Sequence, residues 1–136
     1  MGKVRIIRSL VLDASALTEA AREASQLRIQ VRRIAARGAS LYTTAATLTE
    51  VLRGGSADVP IHRLLDSLNV QVVDHRLGRA AGERIGRTRT RGNVTLDAIV
   101  AEVASTLPRP VAVLTADTQD ITALVDPDVM VLDIAA

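Results

Sequence analysis

Residues 10–17 read Leu-Val-Leu-Asp-Ala-Ser-Ala-Leu ("LVLDASAL"), an apolar run that stops on Asp13 and is followed only by small residues before Leu17. The run lacks polar alternation, as expected for a strand covered on both faces inside a parallel sheet. Asp13 then sits at a strand–helix junction, where two roles compete. Asp is a frequent helix N-cap. Residues just after strands also face the crevice that open α/β sheets form at their carboxyl ends. The small Ala14, Ser15 and Ala16 leave space there for an ion or a phosphate, but position alone leaves both roles open.

The rest of the chain repeats the alternation. Leu41–Thr43, Val70–Val73, Val111–Leu114 and Val129–Leu132 have the composition of strands. Between them, Ala20, Ala24, Leu27, Val31 and Ile34 keep helical spacing up to Gly38, a C-terminal stop. Leu77, Ala81, Ile85 and Thr88 make a second stripe; Leu96, Ile99, Val100, Val103 and Leu107 make a third, closed by Pro108 and Pro110. Shorter helices are predicted at Ala45–Arg53, Ile61–Leu68 and Asp117–Leu124, with "RGGSADVP" (53–60) as a loop. Strands alternating with helices predict a single α/β domain over residues 1–136, three-layered and doubly wound.

Composition narrows the chemistry. With no cysteine there is neither a disulfide framework nor a thiolate metal site, which agrees with a reducing, cytoplasmic setting. The stretch "MGKVRIIRSLVLD" interrupts its apolar residues with Lys3, Arg5 and Arg8, unlike a signal sequence. No run approaches the roughly 20 apolar residues that span a bilayer. Of the 17 cationic residues only Lys3 is lysine, and arginine forks match phosphate oxygens, although the net charge is only +2. No Phe or Trp is present and Tyr42 is the single aromatic residue, so bases have no stacking platform. Any nucleic-acid contact therefore runs mainly through phosphates.

The carboxylates carry most of the signal. Asp117 and Asp120 follow the strand in "VAVLTADTQDI" (111–121), where capping and function again compete, and Thr115 ends that strand. Asp97 lies at the border of an apolar helix stripe, beside Val100, Ala101 and Ala104. A carboxylate there is costly unless something positive meets it. Glu102, on the opposite side with Ser105 and Thr106, reads as solvated. Glu50 projects away from Leu48, Val51 and Leu52, and on pattern alone reads as a surface glutamate. Asp74 and Asp133 show that an aspartate after a strand is not specific by itself: the first reads as a cap and the second precedes no helix. His62 and His75 have no ligand partner one turn away, and neither phosphate-binding glycine motif occurs. Carboxylates and hydroxyls remain, and converging carboxylates suit hard divalent ions such as Mg²⁺ or Mn²⁺. In "GERIGRTRTRGN" (82–93), Arg84, Arg87, Arg89 and Arg91 precede the helix bearing Asp97 and fit either a solvated helix end or a phosphate grip.

Four stretches in order, "LVLDASAL" (10–17), "TTAATLTEVLRG" (43–54), "LDAIVAEVA" (96–104) and "VAVLTADTQDI" (111–121), resemble the PIN-domain ribonucleases, and most of all the toxins of bacterial VapBC toxin–antitoxin systems. The resemblance covers essentially the whole chain. It implies a five-stranded parallel sheet, with Asp13 and Asp117 on neighbouring central strands and Glu50 and Asp97 approaching from flanking helices. It places the family's four acids on Asp13, Glu50, Asp97 and Asp117, hydroxyls bordering the metal site on Ser15 and Thr115, and a supporting acid on Asp120. The departures are Ile121, where Phe is common, and the lack of a further acid near Asp97 other than Glu102, which bears on whether one metal ion or two are held. The implied activity is Mg²⁺-dependent endonucleolytic cleavage of RNA by a metal-activated water, leaving a 5′-phosphate and a 3′-hydroxyl and inhibiting growth. The implied partners are a cognate antitoxin and a second copy of the chain. A degenerate, non-catalytic PIN-like module whose acids only cap helices is the alternative, and a metal-dependent DNA nuclease is a third reading.

Overall fold

The computed structural model describes residues 6–135. Five strands, β1 (Ser9–Leu12), β2 (Ser40–Thr44), β3 (Asn69–Gln71), β4 (Val111–Thr115) and β5 (Met130–Asp133), form one sheet in the order β3-β2-β1-β4-β5. Every neighbouring pair is parallel. The helices are α1 (Ala14–Ala21), α2 (Gln26–Ala36), α3 (Ala45–Val51), α4 (Val59–Leu65), α5 (His75–Thr88), α6 (Thr95–Thr106) and α7 (Thr118–Leu124). The three-layer, doubly wound expectation is met.

Burial on both faces explains the apolar strands. In β1, Leu10 and Leu12 pack with Leu17, Leu27, Val31 and Ile61 of α1, α2 and α4. Val11 turns the other way and joins Val111 and Val113 of β4 against Val100, Val103 and Ile121 of α6 and α7. The three apolar β1 side chains, Leu10, Val11 and Leu12, are all fully buried, which is why this run shows no polar alternation. The chain builds β1, β2 and β3 outward on one side, then crosses back to place β4 beside β1. That reversal opens a crevice at the carboxyl ends of β1 and β4.

Several boundaries differ from expectation for identifiable reasons. The single long helix predicted through Ala24 is two helices: Ala24 is exposed and left-handed (φ 59°), and Ser25 caps α2 by accepting the Arg28 N–H. Arg28 donates back to the Ala20, Ala21 and Arg22 carbonyls at the end of α1. This satisfies acceptors that a helix terminus leaves open. Strand β3 stops at Gln71 rather than Val73 because its only neighbour, β2, ends opposite it at Thr44. The loop 53–60 is shorter than expected. Ser56–Asp58 form a 3-10 turn, and Val59 and Pro60 already belong to the first turn of α4, where proline loses no helical bond. The Asp58 carboxylate accepts the Gly54 and Arg53 N–H groups at 2.7 and 2.9 Å, bonds that hold it below its ordinary pKa. Among the described residues, no helix is long and apolar enough to cross a membrane. The expectation drawn from "MGKVRIIRSLVLD" rests partly on residues 1–5, which lie outside the described range.

Candidate metal centre

Asp13 leaves β1 in extended conformation and is 5% exposed. Its Oδ1 accepts the Ala16 N–H at 3.0 Å and the Ser15 hydroxyl at 2.7 Å, while its Oδ2 accepts the Thr115 hydroxyl. The first of these bonds is an N-cap. Capping and placement at the crevice are therefore one arrangement rather than alternatives, and the cap is made by Asp13 itself. Ser15 and Thr115 reach across the strand ends. The Ser15 oxygen accepts the Ala116 N–H at 2.9 Å, and the Thr115 oxygen accepts the Asp117 N–H at 2.8 Å. On the other side of β1, the buried Thr43 hydroxyl donates to the Leu12 carbonyl at 2.9 Å. The start of α1 is thus fixed to both neighbouring strands.

Asp117 occupies the N-cap position of α7, yet its side chain makes no capping bond. It is exposed and turned to the crevice, whereas Asp74 caps α5 through the Leu77 N–H as its position suggested. Asp97 reaches the same place from the first turn of α6 and is partly buried. Asp13, Asp97 and Asp117 each offer a carboxylate oxygen, and these three atoms lie within 4.8 Å of one another. Burial raises the Asp97 pKa to about 6, with further contributions from the charges of Asp117, Asp13, Asp120 and Glu50. Glu50 and Asp120 line the same cavity of about 290 Å³ with the trio. Both are exposed and stand outside the closest group. For Glu50 the solvent-facing pattern and the place at the crevice both hold, because the open end of the sheet is itself solvated.

The trio suits a hard divalent cation. Around an octahedral Mg²⁺ ion, with ion–oxygen distances of about 2.1 Å, adjacent oxygens are about 3.0 Å apart and opposite ones about 4.2 Å. Three oxygens within 4.8 Å of one another can reach that arrangement by drawing inward onto one ion. All donors are carboxylates, with no thiolate or imidazole among them.

The arginines divide. Arg84 does not face the crevice: it is 4% exposed. Its Nε donates to Glu102 at 3.0 Å, and its Nη1 donates to Asp126 at 2.8 Å and to the Leu124 carbonyl at 2.9 Å. Lying three residues after the buried Ala81 and one before Ile85, it falls on the packed side of α5. Arg84 is thus neither part of a solvated helix end nor a phosphate grip but a structural contact, and Glu102, expected to be solvated, is its partner. Arg87, Arg89 and Arg91 are exposed and make no ion pair among the described residues. Two cavity-lining residues escaped the sequence reading: Thr47, buried and paired with Thr44, and Asn93, in the loop before α6. The one signal for Asn93 was its place in "RGNV", between a glycine and a helix start.

No protein-family model matches the sequence, and no curated protein matches it either. Solved structures do. A chain in the crystal structure of VapBC2 from Rickettsia felis bound to a promoter DNA fragment superposes with a TM-score of 0.69 at 12% identity, covering 92% of this chain and 98% of that one. FitAcB from Neisseria gonorrhoeae gives a TM-score of 0.66 at 19% identity, covering 93% and 98%. VapBC-1 from nontypeable Haemophilus influenzae gives 0.67 at 15%, covering 94% and 99%. The chain has a PIN-like fold. At such identities the likeness is one of architecture, so the chemistry of this PIN-like domain rests on its own residues. Those residues put three converging acids at the point where the sheet changes direction.

Proposed function

We propose that this PIN-like domain is a Mg²⁺- or Mn²⁺-dependent endoribonuclease, the VapC-type toxin of a type II toxin–antitoxin pair, acting in the cytoplasm as a homodimer to cut RNA and arrest growth. The observation that carries the reading is the convergence of Asp13, Asp97 and Asp117 at the strand ends. Similarity to VapBC and FitAB structures supports the toxin assignment.

In this reading Asp13, locked by three donors, and Asp97 and Asp117 hold the cation. A divalent ion there would supply positive charge for a phosphate and lower the pKa of a nearby water. Glu50 and Asp120 face the same cavity, where they would orient a water or hold a weaker second ion. No histidine lines the cavity, so proton traffic falls to the carboxylates and solvent. Burial and the neighbouring acids disfavour the charged form of Asp97, which a nearby cation would favour.

A groove of about 830 Å³ between α2 and α4, walled by Val31, Leu41 and Leu64 and edged by Arg32 and Arg63, suits an amphipathic, acidic antitoxin segment. A degenerate module whose acids only cap helices fits less well, since Asp117 caps nothing and Asp97 is held among like charges.

The test is cleavage of a structured RNA, and of DNA of the same sequence, with Mg²⁺ and with chelator, for wild type and Asp13→Asn. Mg²⁺-dependent RNA cleavage lost in the variant is the expected result. Undiminished cleavage by Asp13→Asn overturns the assignment, and cleavage of DNA alone reassigns the substrate.

A further inference from the structure

The cavity holding the acids also contains Asn93, at the point where the loop from α5 enters α6. Gly92 before it adopts φ 92°, and the Val94 N–H bonds back to the Gly92 carbonyl at 3.1 Å, so the turn presenting Asn93 is defined. The other neutral polar side chains lining the cavity are committed. Ser15 gives its proton to Asp13, and Thr47 pairs with Thr44. Asn93 is exposed, and among the described residues its side chain makes no hydrogen bond. It therefore brings uncommitted N–H donors to a cavity otherwise edged by Asp13, Asp97, Asp117, Asp120 and Glu50.

That placement has a chemical consequence. A phosphodiester has two non-bridging oxygens that share one negative charge, and the five carboxylates repel both. A cation on the acid trio answers the repulsion on one side of the phosphate only. A neutral amide donor lining the same cavity can hold the other oxygen without adding a charge that titrates near neutral pH. We propose that Asn93 is a substrate-contacting residue whose side-chain N–H donates to a phosphate oxygen of the bound strand. This rests on the metal-dependent nuclease reading.

The test uses the full chain with fluorescein-labelled hairpin RNAs in Mg²⁺, comparing wild type, Asn93→Ala and Asn93→Asp. Steady-state cleavage, RNA binding by anisotropy and Mn²⁺ binding by calorimetry are all measured. Asn93→Ala should raise KM and Kd about tenfold, the loss of one hydrogen bond to a charged acceptor, with kcat within about threefold. Asn93→Asp should lose more, since it turns a donor into a like charge, while Mn²⁺ affinity stays unchanged or tightens. The loss should be the same for hairpins of different loop sequence. Wild-type RNA binding in both variants overturns the proposal. So does a loss confined to one loop sequence, which would make Asn93 a base reader, or a parallel loss of Mn²⁺ affinity and melting temperature, which would make it structural. A wild type that binds RNA without cutting it removes the nuclease reading, and the anisotropy series then still decides on Asn93.

Discussion

The Thr115 hydroxyl donates to Asp13 Oδ2 and accepts the Asp117 N–H, so one side chain at the end of β4 sets the positions of two acids on different strands. Thr115 is fully buried, and Asp13 nearly so. Thr115→Val keeps the shape and removes both bonds, leaving a buried carboxylate oxygen and an amide without their partner. The expected cost is about 1–3 kcal/mol in urea unfolding. Loss of the bond orienting a ligand should also weaken Mn²⁺ binding by roughly 10–100-fold in calorimetry. Unchanged metal affinity in a folded variant would show that Thr115 does not position the ligands.

Asp97 makes the metal-free protein sensitive to pH. Its folded pKa of about 6 stands above the ordinary value of 3.8, so between these values the folded state keeps a proton that the unfolded chain has released. The stability this gives is full below about 3.8 and is lost as pH rises through about 6. Melting temperature in chelator should fall across that window and then level. Mg²⁺ competes with the same proton, so metal-induced stabilisation should grow as pH rises through it. Asp97→Asn should remove both trends and melt higher than wild type in chelator at neutral pH. A metal-free melting temperature that stays flat from about pH 3.8 to about 6 in wild type contradicts the assignment.

The fold was legible because burial on both faces leaves an unmistakable mark on strands such as Leu10–Leu12, and because Gly38 and Pro108 punctuate helices. The break at Arg22–Ser25 was not, because Ala24 continues the helical spacing and the determinant is Arg28 reaching back to carbonyls from the following helix. At the site, Asp13 and Asp117 announced themselves at strand ends. What distinguished them from Asp74 was whether the carboxylate faced other acids, a property of how β1 and β4 neighbour one another rather than of local sequence. Glu50 was opaque to periodicity for the same reason: its exposed side is the open end of the sheet.

Arg84 ties α5 to the ends of α6 and α7 through Glu102, Asp126 and the Leu124 carbonyl. Arg84→Ala strands the Glu102 carboxylate, whose side chain is 15% exposed, without its cation. Removing one partner of a buried pair costs about 3–5 kcal/mol. Arg84→Met with Glu102→Gln should cost clearly less, because no unpaired charge remains. Denaturant titration distinguishes the two. Metal affinity of the folded double variant should match wild type, since neither residue lines the acid cavity.

Arg87, Arg89 and Arg91 lie in the last turn of α5 and the loop that leads to Asn93, exposed and without ion pairs among the described residues. If all three meet phosphates, changing them together to Gln should reduce the slope of log Kd against log salt by about 2 for a single-stranded RNA, at about 0.7 per charge. Arg84 is already committed to carboxylates and should contribute nothing to that slope, which makes the folded Arg84→Met, Glu102→Gln protein the internal control. The triple variant should also fold normally, because exposed, unpaired arginines add little to stability. A slope equal to that of wild type removes this loop from the nucleic-acid path, and a slope that changes in the Arg84 control as well would trace the effect to the packing of α5 rather than to phosphate contact.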